Sequence, residues 1–127
     1  MPNLILEYSD NVEVDTKTFF RGLHETLVAT GAINMKGLKS RAIKLSDYYI
    51  ADGNEAYKMV HLNIVLREGR SREVREEIAQ RAMAHLEAAF GHYREEGYIN
   101  LSTDMKELEV GLALTRHNIP AKPASKQ

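Results

Sequence analysis

The chain has 127 residues, of which 43% are hydrophobic and 28% charged, and its formal net charge is −1. This length favours one domain with a hydrophobic core, and the balanced charge gives no indication of binding to nucleic acid or to an anionic membrane. Because the sequence contains no cysteine, disulfides, thiolate catalysis and cysteine metal sites are excluded.

The first half of the chain predicts a strand, a helix and a second strand. Residues 3–8 form a short apolar run that stops at the turn-forming residues 9–11, which is typical of a strand. Asp15 is the predicted N-cap of a helix, and Gly31 is its predicted C-terminal stop. The apolar positions at helical spacing between them are Phe19, Phe20, Leu23, Leu27 and Val28. Residues 38–45 predict the second strand.

The second half repeats this order. Residues 57–66 give the longest predicted strand, and Ser71 is the predicted N-cap of a second helix that ends at Gly91. The apolar face of this helix holds Val74, Ile78, Ala82, Leu86, Ala89 and Phe90. Residues 98–108 alternate as a half-buried strand does. A tail follows from Glu109, and its apolar residues are Val110, Leu112, Leu114 and Ile119.

This order of elements predicts an α+β fold built from duplicated β-α-β units. We expect a single domain over residues 1–127, with the two units at about 1–50 and 57–108 and a tail at 109–127. Right-handed crossovers then give one mixed four-stranded sheet with both helices on one face. Since no third helix is predicted to cover the other face, we expect that face to be a surface for self-association.

Pro2 directly follows Met1 at the start of the first predicted strand. If Met1 is removed, the Pro2 nitrogen becomes a free secondary amine, and burial or a neighbouring cation lowers the pKa of such a group. The free amine can then act as a general base, whereas with Met1 attached the nitrogen is an amide and cannot accept a proton. The alternative interpretation is a proline that begins a strand where no N–H is needed.

Three cationic side chains are candidates for binding an anionic substrate. Arg70 lies between an apolar strand and a helix N-terminus, where a guanidinium can hold a carboxylate through two parallel hydrogen bonds. Lys39 and Arg41 lie two residues apart on a predicted strand and therefore point to the same face. The alternatives are a solvated loop arginine at position 70 and an exposed sheet edge at positions 39 and 41.

Short segments along the whole chain resemble the tautomerase superfamily, and in particular the 5-carboxymethyl-2-hydroxymuconate Δ-isomerases. The matching segments, in order and at nearly the same spacing, are Met1-Pro2, Ser9-Asp10-Asn11, Ala29-Thr30-Gly31, Gly37-Leu38-Lys39-Ser40-Arg41, Ala51-Asp52-Gly53, Val60-His61, Gly69-Arg70-Ser71, Glu107-Leu108 and Asn118-Ile119. The loop Glu68-Gly69-Arg70-Ser71 is also similar to a loop of 4-oxalocrotonate tautomerase. Each segment is short, and the ordered set carries the resemblance.

The resemblance implies a tautomerase (MIF-like) fold, a homotrimer and an isomerase that acts on a carboxylated dienol in aromatic-compound breakdown. Pro2 would be the catalytic base, and Arg70 with either Arg41 or Lys39 would bind the substrate. The nearer isomerases carry an arginine where this chain has Lys39. The chemistry implied needs no metal or redox cofactor. The alternative is a non-catalytic or promiscuous trimer of this fold that binds another small carboxylic acid.

No metal site is predicted from the histidines, because His85 and His92 are seven positions apart on one predicted helix, too far for an i, i+4 pair. No apolar run approaches the roughly 18 residues of a membrane span. The N-terminus lacks a basic region followed by an apolar signal segment. We therefore expect a cytoplasmic protein with no membrane partner.

Overall fold

The structure is a computed structural model that describes residues 2–120. Its strands are β1 (Asn3–Ser9), β2 (Lys39–Leu45), β3 (Tyr57–Arg67) and β4 (Tyr98–Leu108), and its helices are α1 (Thr16–Val28) and α2 (Arg72–Phe90). Short 3₁₀ turns at Met35–Gly37 and Gly91–Glu95, which the sequence did not predict, precede β2 and β4. Met1 and the end of the predicted tail, residues 121–127, lie outside the described residues.

The four strands form one mixed sheet in the order β2-β1-β3-β4. β1 runs parallel to β2 and β3 runs parallel to β4, while the central pair, β1 and β3, is antiparallel. Each outer strand is therefore joined to its parallel neighbour through a helix, as a β-α-β connection requires. The predicted fold class is confirmed.

Both predicted N-caps are present. The Asp15 side chain accepts a hydrogen bond from the Thr18 N–H at 3.2 Å, which lowers the pKa of the Asp15 carboxyl. The Ser71 hydroxyl accepts from the Val74 N–H at 3.2 Å. These bonds satisfy donors that have no partner within the first turn of a helix.

The end of α1 differs from the prediction, since the helix ends at Val28 rather than at Gly31. The Thr30 hydroxyl donates to the Leu27 carbonyl at 2.7 Å and so satisfies one of the last carbonyls of the helix. Gly31 follows with a φ of 81°, a conformation that glycine adopts without steric cost. Gly31 thus reverses the chain after the helix has already ended.

One hydrophobic core lies between the helices and one face of the sheet. On the strands its buried residues are Leu4, Leu6, Val60, Leu62, Ile64 and Leu66, which alternate along β1 and β3 and so share one face. On the helices they are Phe19, Leu23, Leu27, Ile78, Ala82, Leu86 and Phe90. A fully buried valine, leucine, isoleucine or phenylalanine side chain contributes about 1.5–3 kcal/mol of transfer free energy. Both helices therefore cover the same face, as predicted.

The helices approach each other closely at Gly22. A Cβ atom at this position would lie 2.6 Å from Cε1 of His85, so the absence of a side chain allows the contact. The His85 Nε2 atom is 2.9 Å from the Phe19 carbonyl oxygen. His85 therefore joins the two helices through this hydrogen-bond contact as well as through packing.

The opposite face of the sheet, which we call the open face, carries the alternate residues of each strand. Across β2, β1, β3 and β4 its rows are Lys39, Asn3, Val65 and Lys106, then Arg41, Ile5, Asn63 and Asp104, then Ile43, Glu7, His61 and Ser102. No helix among the described residues covers this face. It combines apolar and charged side chains, and Ile43 is 44% exposed.

A half-buried histidine links α1 to β2 and should make stability depend on pH. The His24 Nε2 atom lies 2.6 Å from the Ser40 hydroxyl oxygen, and burial lowers the pKa of His24 from its usual value of 6.5. The folded protein therefore disfavours the protonated ring. His24 contributes fully to stability above pH 6.5, and this contribution is lost as the pH falls through the folded-state pKa.

We expect the free energy of unfolding to fall between pH 7.5 and pH 5.5, and to fall less in His24→Gln, which keeps a polar group beside Ser40. Urea denaturation at each pH measures both values. His92→Gln, which removes an exposed histidine, is the control and should follow the parent. Equal pH dependence in His24→Gln and the parent would contradict a role for His24.

The described residues contain no helix that is both long and apolar enough to cross a membrane.

Candidate active site

The sheet topology brings three of the predicted site residues to one end of the sheet. β1 begins directly after Pro2, and β2 begins beside it because Lys39 is paired with Asn3. β3 is antiparallel to β1, so the loop that carries Arg70 leaves β3 at the same end. We call this region, made of Pro2, Asn3, Lys39 and the loop 67–70, the Pro2 end.

Pro2 is buried and its carbonyl is held by β2. The Lys39 N–H donates to the Pro2 carbonyl oxygen at 3.2 Å, and Pro2 itself is buried. By strand alternation its ring lies on the same side of the sheet as Leu4, toward the helices. A free amine at this position would be partly desolvated, which favours its neutral form.

Arg70 is oriented by backbone carbonyls. Its Nε and Nη2 atoms donate to the Ala32 carbonyl at 3.3 and 3.1 Å, and Nη1 donates to the Arg67 carbonyl at 3.1 Å. A guanidinium has five N–H donors, and these bonds use three of them. One N–H on each of Nη1 and Nη2 therefore remains for a ligand. Such a pair matches the spacing of carboxylate oxygens.

The loop around Arg70 is fixed from both sides. Gly69 adopts a φ of 121°, a conformation that side chains rarely allow, and this turn directs Arg70 back toward Ala32. The Arg75 Nε atom donates to the Arg70 carbonyl at 3.3 Å, and Arg75 Nη1 lies 3.5 Å from the Glu107 carboxylate at the end of β4. The sequence pattern did not single out Arg75.

Lys39 and Arg41 occupy different environments although both lie on the open face. Lys39 is half-buried, is paired with Asn3 and lines a cavity of about 330 Å³. Arg41 is paired with Ile5, two residues further from the Pro2 end, and is exposed. The sequence left open which of the two binds substrate, and within one chain the structure places Lys39 nearer to Pro2.

The tail of the chain forms part of the wall of the cavity beside Lys39. Asn3, Lys36 and Lys39 line one side, and residues of the segment 114–119, including Arg116, line the other. Sequence reasoning missed Lys36 and Arg116. No local pattern could have identified Arg116, because its position depends on how the tail folds back over the start of the sheet.

Two larger cavities at the opposite end of the sheet, of about 430 and 560 Å³, are lined by carboxylates. Asp10 and Glu55 line the first, and Asp10, Glu13 and Asp15 line the second together with Lys44. Like charges in such numbers disfavour an anionic ligand. The Pro2 end is therefore the better candidate for binding a carboxylate.

His61 belongs to a network between β3 and β4 rather than to the Pro2 end. Its Nδ1 atom lies 2.6 Å from the Ser102 hydroxyl oxygen, and its Nε2 atom lies 3.4 Å from Asp104. His61 is therefore a hydrogen-bonded residue of the sheet. Among residues 2–120, no three histidine, aspartate or glutamate side chains are grouped in a way that could hold a metal ion.

Comparison with known proteins agrees with this architecture. A fused 4-OT protein described as a wild-type symmetric trimer has a similar fold, with a TM-score of 0.64 at 14% identity, covering 89% of this chain and 94% of that one. The crystal structure of a 5-carboxymethyl-2-hydroxymuconate isomerase from Deinococcus radiodurans R1 is more similar, with a TM-score of 0.87 at 30% identity, covering 93% of this chain and 90% of that one.

Sequence comparisons identify the family. Residues 2–122 match the family model of 5-carboxymethyl-2-hydroxymuconate isomerase. A curated 5-carboxymethyl-2-hydroxymuconate Delta-isomerase from Escherichia coli is 31% identical over 123 residues, which cover 95% of this chain and 98% of that protein. The resemblance seen in the sequence is thereby confirmed: the chain belongs to the 5-carboxymethyl-2-hydroxymuconate isomerase family of the tautomerase superfamily, and it is an isomerase.

Proposed function

We propose that this enzyme converts 5-carboxymethyl-2-hydroxymuconate to its 2-oxo enoate isomer, without a cofactor, and that Pro2 is its general acid and base. The observation that supports this most directly is the meeting of Pro2, Lys39 and Arg70 at one end of the sheet. A base beside two cations is the arrangement that ketonisation of an anionic dienol requires. The family relatives supply the substrate name.

In the proposed mechanism the cations bind first. Arg70 holds a carboxylate through its two remaining N–H groups, and Lys39 or Arg41 faces the oxygen at carbon 2. Negative charge develops on this oxygen when the 2-hydroxyl loses its proton. Positive groups that are already in place stabilise this charge without reorganisation.

Pro2 then moves one proton. Its neutral nitrogen accepts the proton of the 2-hydroxyl group, the electrons shift along the dienolate, and the protonated amine returns the proton to carbon. The product is an isomer of the substrate, so no atoms or electrons are gained or lost. Burial of Pro2 and the neighbouring cations lower the pKa of the free amine, which keeps it neutral near pH 7.

A direct assay tests the reaction. The purified protein, with removal of Met1 verified by mass spectrometry, should accelerate the loss of the dienol absorbance of 5-carboxymethyl-2-hydroxymuconate above the buffer rate. The assay should be repeated with other 2-hydroxydienoates. Absence of turnover with all of them would contradict the proposal and favour a protein that binds a small carboxylic acid without reaction.

We also propose that three chains assemble, with the open faces of their sheets directed toward one another. Exposed apolar residues on the open face and the tail support this assembly: Ile43 at 44%, Val110 at 71%, Leu112 at 76% and Leu114 at 74% exposure. The fused 4-OT neighbour, described as a symmetric trimer, has a similar fold. Contact between copies would remove this apolar surface from water.

Sedimentation should therefore give the mass of three chains. Ile43→Asp places a second carboxylate beside Glu7 on the open face and should shift the mass toward that of one chain. Gln80→Asp, on the exposed side of α2, is the matched control and should leave the mass unchanged. A mass of one chain for the parent, or an unchanged mass for Ile43→Asp, would contradict this arrangement.

As part of the same proposal, the reaction belongs to the breakdown of aromatic compounds such as homoprotocatechuate. We also propose that the enzyme acts in the cytoplasm, as expected from the sequence.

A further inference from the structure

The cavity beside Lys39 differs in charge from the other large cavities of the described chain. Lys36, Lys39, Arg116 and His117 contribute to its walls, and none of the described residues that line it has a carboxylate side chain. Three permanent cations around about 330 Å³ repel one another unless an anion is present. The composition of the walls therefore favours an anionic ligand.

These cations also lack internal partners. Among residues 2–120, no ion pair joins Lys36, Lys39 or Arg116 to an acidic side chain. Nη1 of the Arg116 guanidinium donates a hydrogen bond to the carbonyl of its neighbour Thr115 at 3.1 Å. Most of the five donors of this group are thus available to a ligand.

The tail that carries Arg116 has a defined local conformation. The Ile119 N–H donates to Nδ1 of His117 at 3.1 Å, so in a neutral ring the proton lies on Nε2. Ile119 also lines the cavity, next to Pro120. This hydrogen bond orders the turn at residues 117–119, directly after Arg116, and Lys36 and Arg116 both line the cavity.

The cavity borders the Pro2 end at Asn3 and Lys39. Asn3 and Lys39 line it, and the Lys39 N–H is bonded to the Pro2 carbonyl. A ligand that reacts at Pro2 and is held by Arg70 can extend into it only if it carries a further substituent. The cationic walls of the cavity favour an anionic substituent, and a carboxylate is the anionic group that dienols of the proposed substrate class carry.

We propose that Arg116, together with Lys36, forms a second carboxylate subsite that selects polycarboxylated dienols over monocarboxylated ones. This inference rests on the proposed function, because the subsite would bind the carboxylate of the substrate that is remote from the reacting atoms. Binding energy from such a remote group raises kcat/KM for the substrates that carry it. A substrate without the additional carboxylate gains nothing from the subsite.

The test compares Arg116→Gln with the parent on substrates that carry three, two and one carboxylates: 5-carboxymethyl-2-hydroxymuconate, 2-hydroxymuconate and 2-hydroxypenta-2,4-dienoate. Loss of one charged hydrogen-bonding group should lower kcat/KM for the tricarboxylate by about tenfold. The value for the monocarboxylate should change by less than about twofold, as expected for an exposed substitution away from its contacts. Arg116→Lys, which keeps the charge, should fall between the parent and Arg116→Gln.

Arg21→Gln is the charge-matched control, because Arg21 is exposed on α1. In this control, kcat/KM should change by less than about twofold for each of the three substrates. An equal loss on all three substrates in Arg116→Gln, or no loss on any, would overturn the subsite.

Binding of unreactive acids separates this inference from the proposed function. Calorimetry with tricarballylate, a tricarboxylate, and with butyrate should show weaker binding of tricarballylate alone in Arg116→Gln. A parent that turns over no dienol but shows this pattern would refute the proposed reaction and support the subsite. A parent that turns over all three dienols, with tricarballylate binding unaffected by Arg116→Gln, would support the reaction and refute the subsite.

Discussion

An enzyme whose Pro2 nitrogen is held in an amide should lose isomerase activity by about 10²–10⁴-fold, the usual contribution of a positioned general acid or base. An additional N-terminal residue that is not removed produces this change without altering any side chain of the fold. The amide nitrogen has no basic lone pair, so the 2-hydroxyl proton has no acceptor at this position. Measurement of kcat for 5-carboxymethyl-2-hydroxymuconate, with the N-terminus verified by mass spectrometry, gives the result.

The control for this experiment is the same extension placed after Gln127, which should retain parental kcat. Pro2→Ala, with Met1 removed, should retain part of the activity, because it keeps an amine but loses the rigid ring. Circular dichroism should show that all forms are folded. Parental kcat in the N-terminally extended enzyme would remove Pro2 from the mechanism, whatever the effect of other substitutions.

Replacement of Arg70 by alanine should lower kcat/KM by about 10²–10³-fold, which is the effect of removing a preorganised group that stabilises developing charge. The substitution removes the two N–H groups that remain for the substrate. It also removes the bonds that the guanidinium donates to the carbonyls of Ala32 and Arg67. The free energy of unfolding should therefore fall by about 1–3 kcal/mol, the cost of leaving a partly buried acceptor without its donor.

Two further variants separate the binding role of Arg70 from its structural role. Arg70→Lys keeps the charge but has no planar fork, so it cannot bind Ala32 and a carboxylate in the same geometry, and it should have intermediate activity. Arg72→Ala removes an arginine that is 80% exposed and paired with Glu76, and it should retain parental kcat/KM. A parental KM and kcat in Arg70→Ala would exclude Arg70 from the site.

The secondary structure could be predicted from the sequence because its signals are local. Apolar residues at a spacing of two or of three to four define which face of a strand or helix is buried, and Asp15 and Ser71 mark helix starts by bonding N–H groups three residues away. The strand bounds differ from the predicted ones by no more than one residue. The 3₁₀ turns were not predicted, since their i to i+3 bonds leave no comparable periodic pattern.

Pro2 could also be identified from the sequence alone, because its chemistry depends on its place after Met1 rather than on packing. The ordered segments that resemble the tautomerase superfamily also indicated the family. The assignment of Pro2, Arg70, Lys39 and Arg41 to one substrate remains a prediction, and the experiments above test it.

The tertiary structure decided what surrounds these residues. Arg70 is oriented by the carbonyl of Ala32, 38 positions earlier in the chain, and Lys36 and Arg116 both line a cavity that the tail helps to form. Both arrangements bring together segments that are distant in sequence, and they depend on strand order and register. Local sequence patterns carry no information on strand order or register. In the fold, the antiparallel pairing of β1 with β3 brings the start of β1 and the end of β3 together. The sequence determined the elements and the candidate base, and the fold determined which residues lie at the same end of the sheet as that candidate.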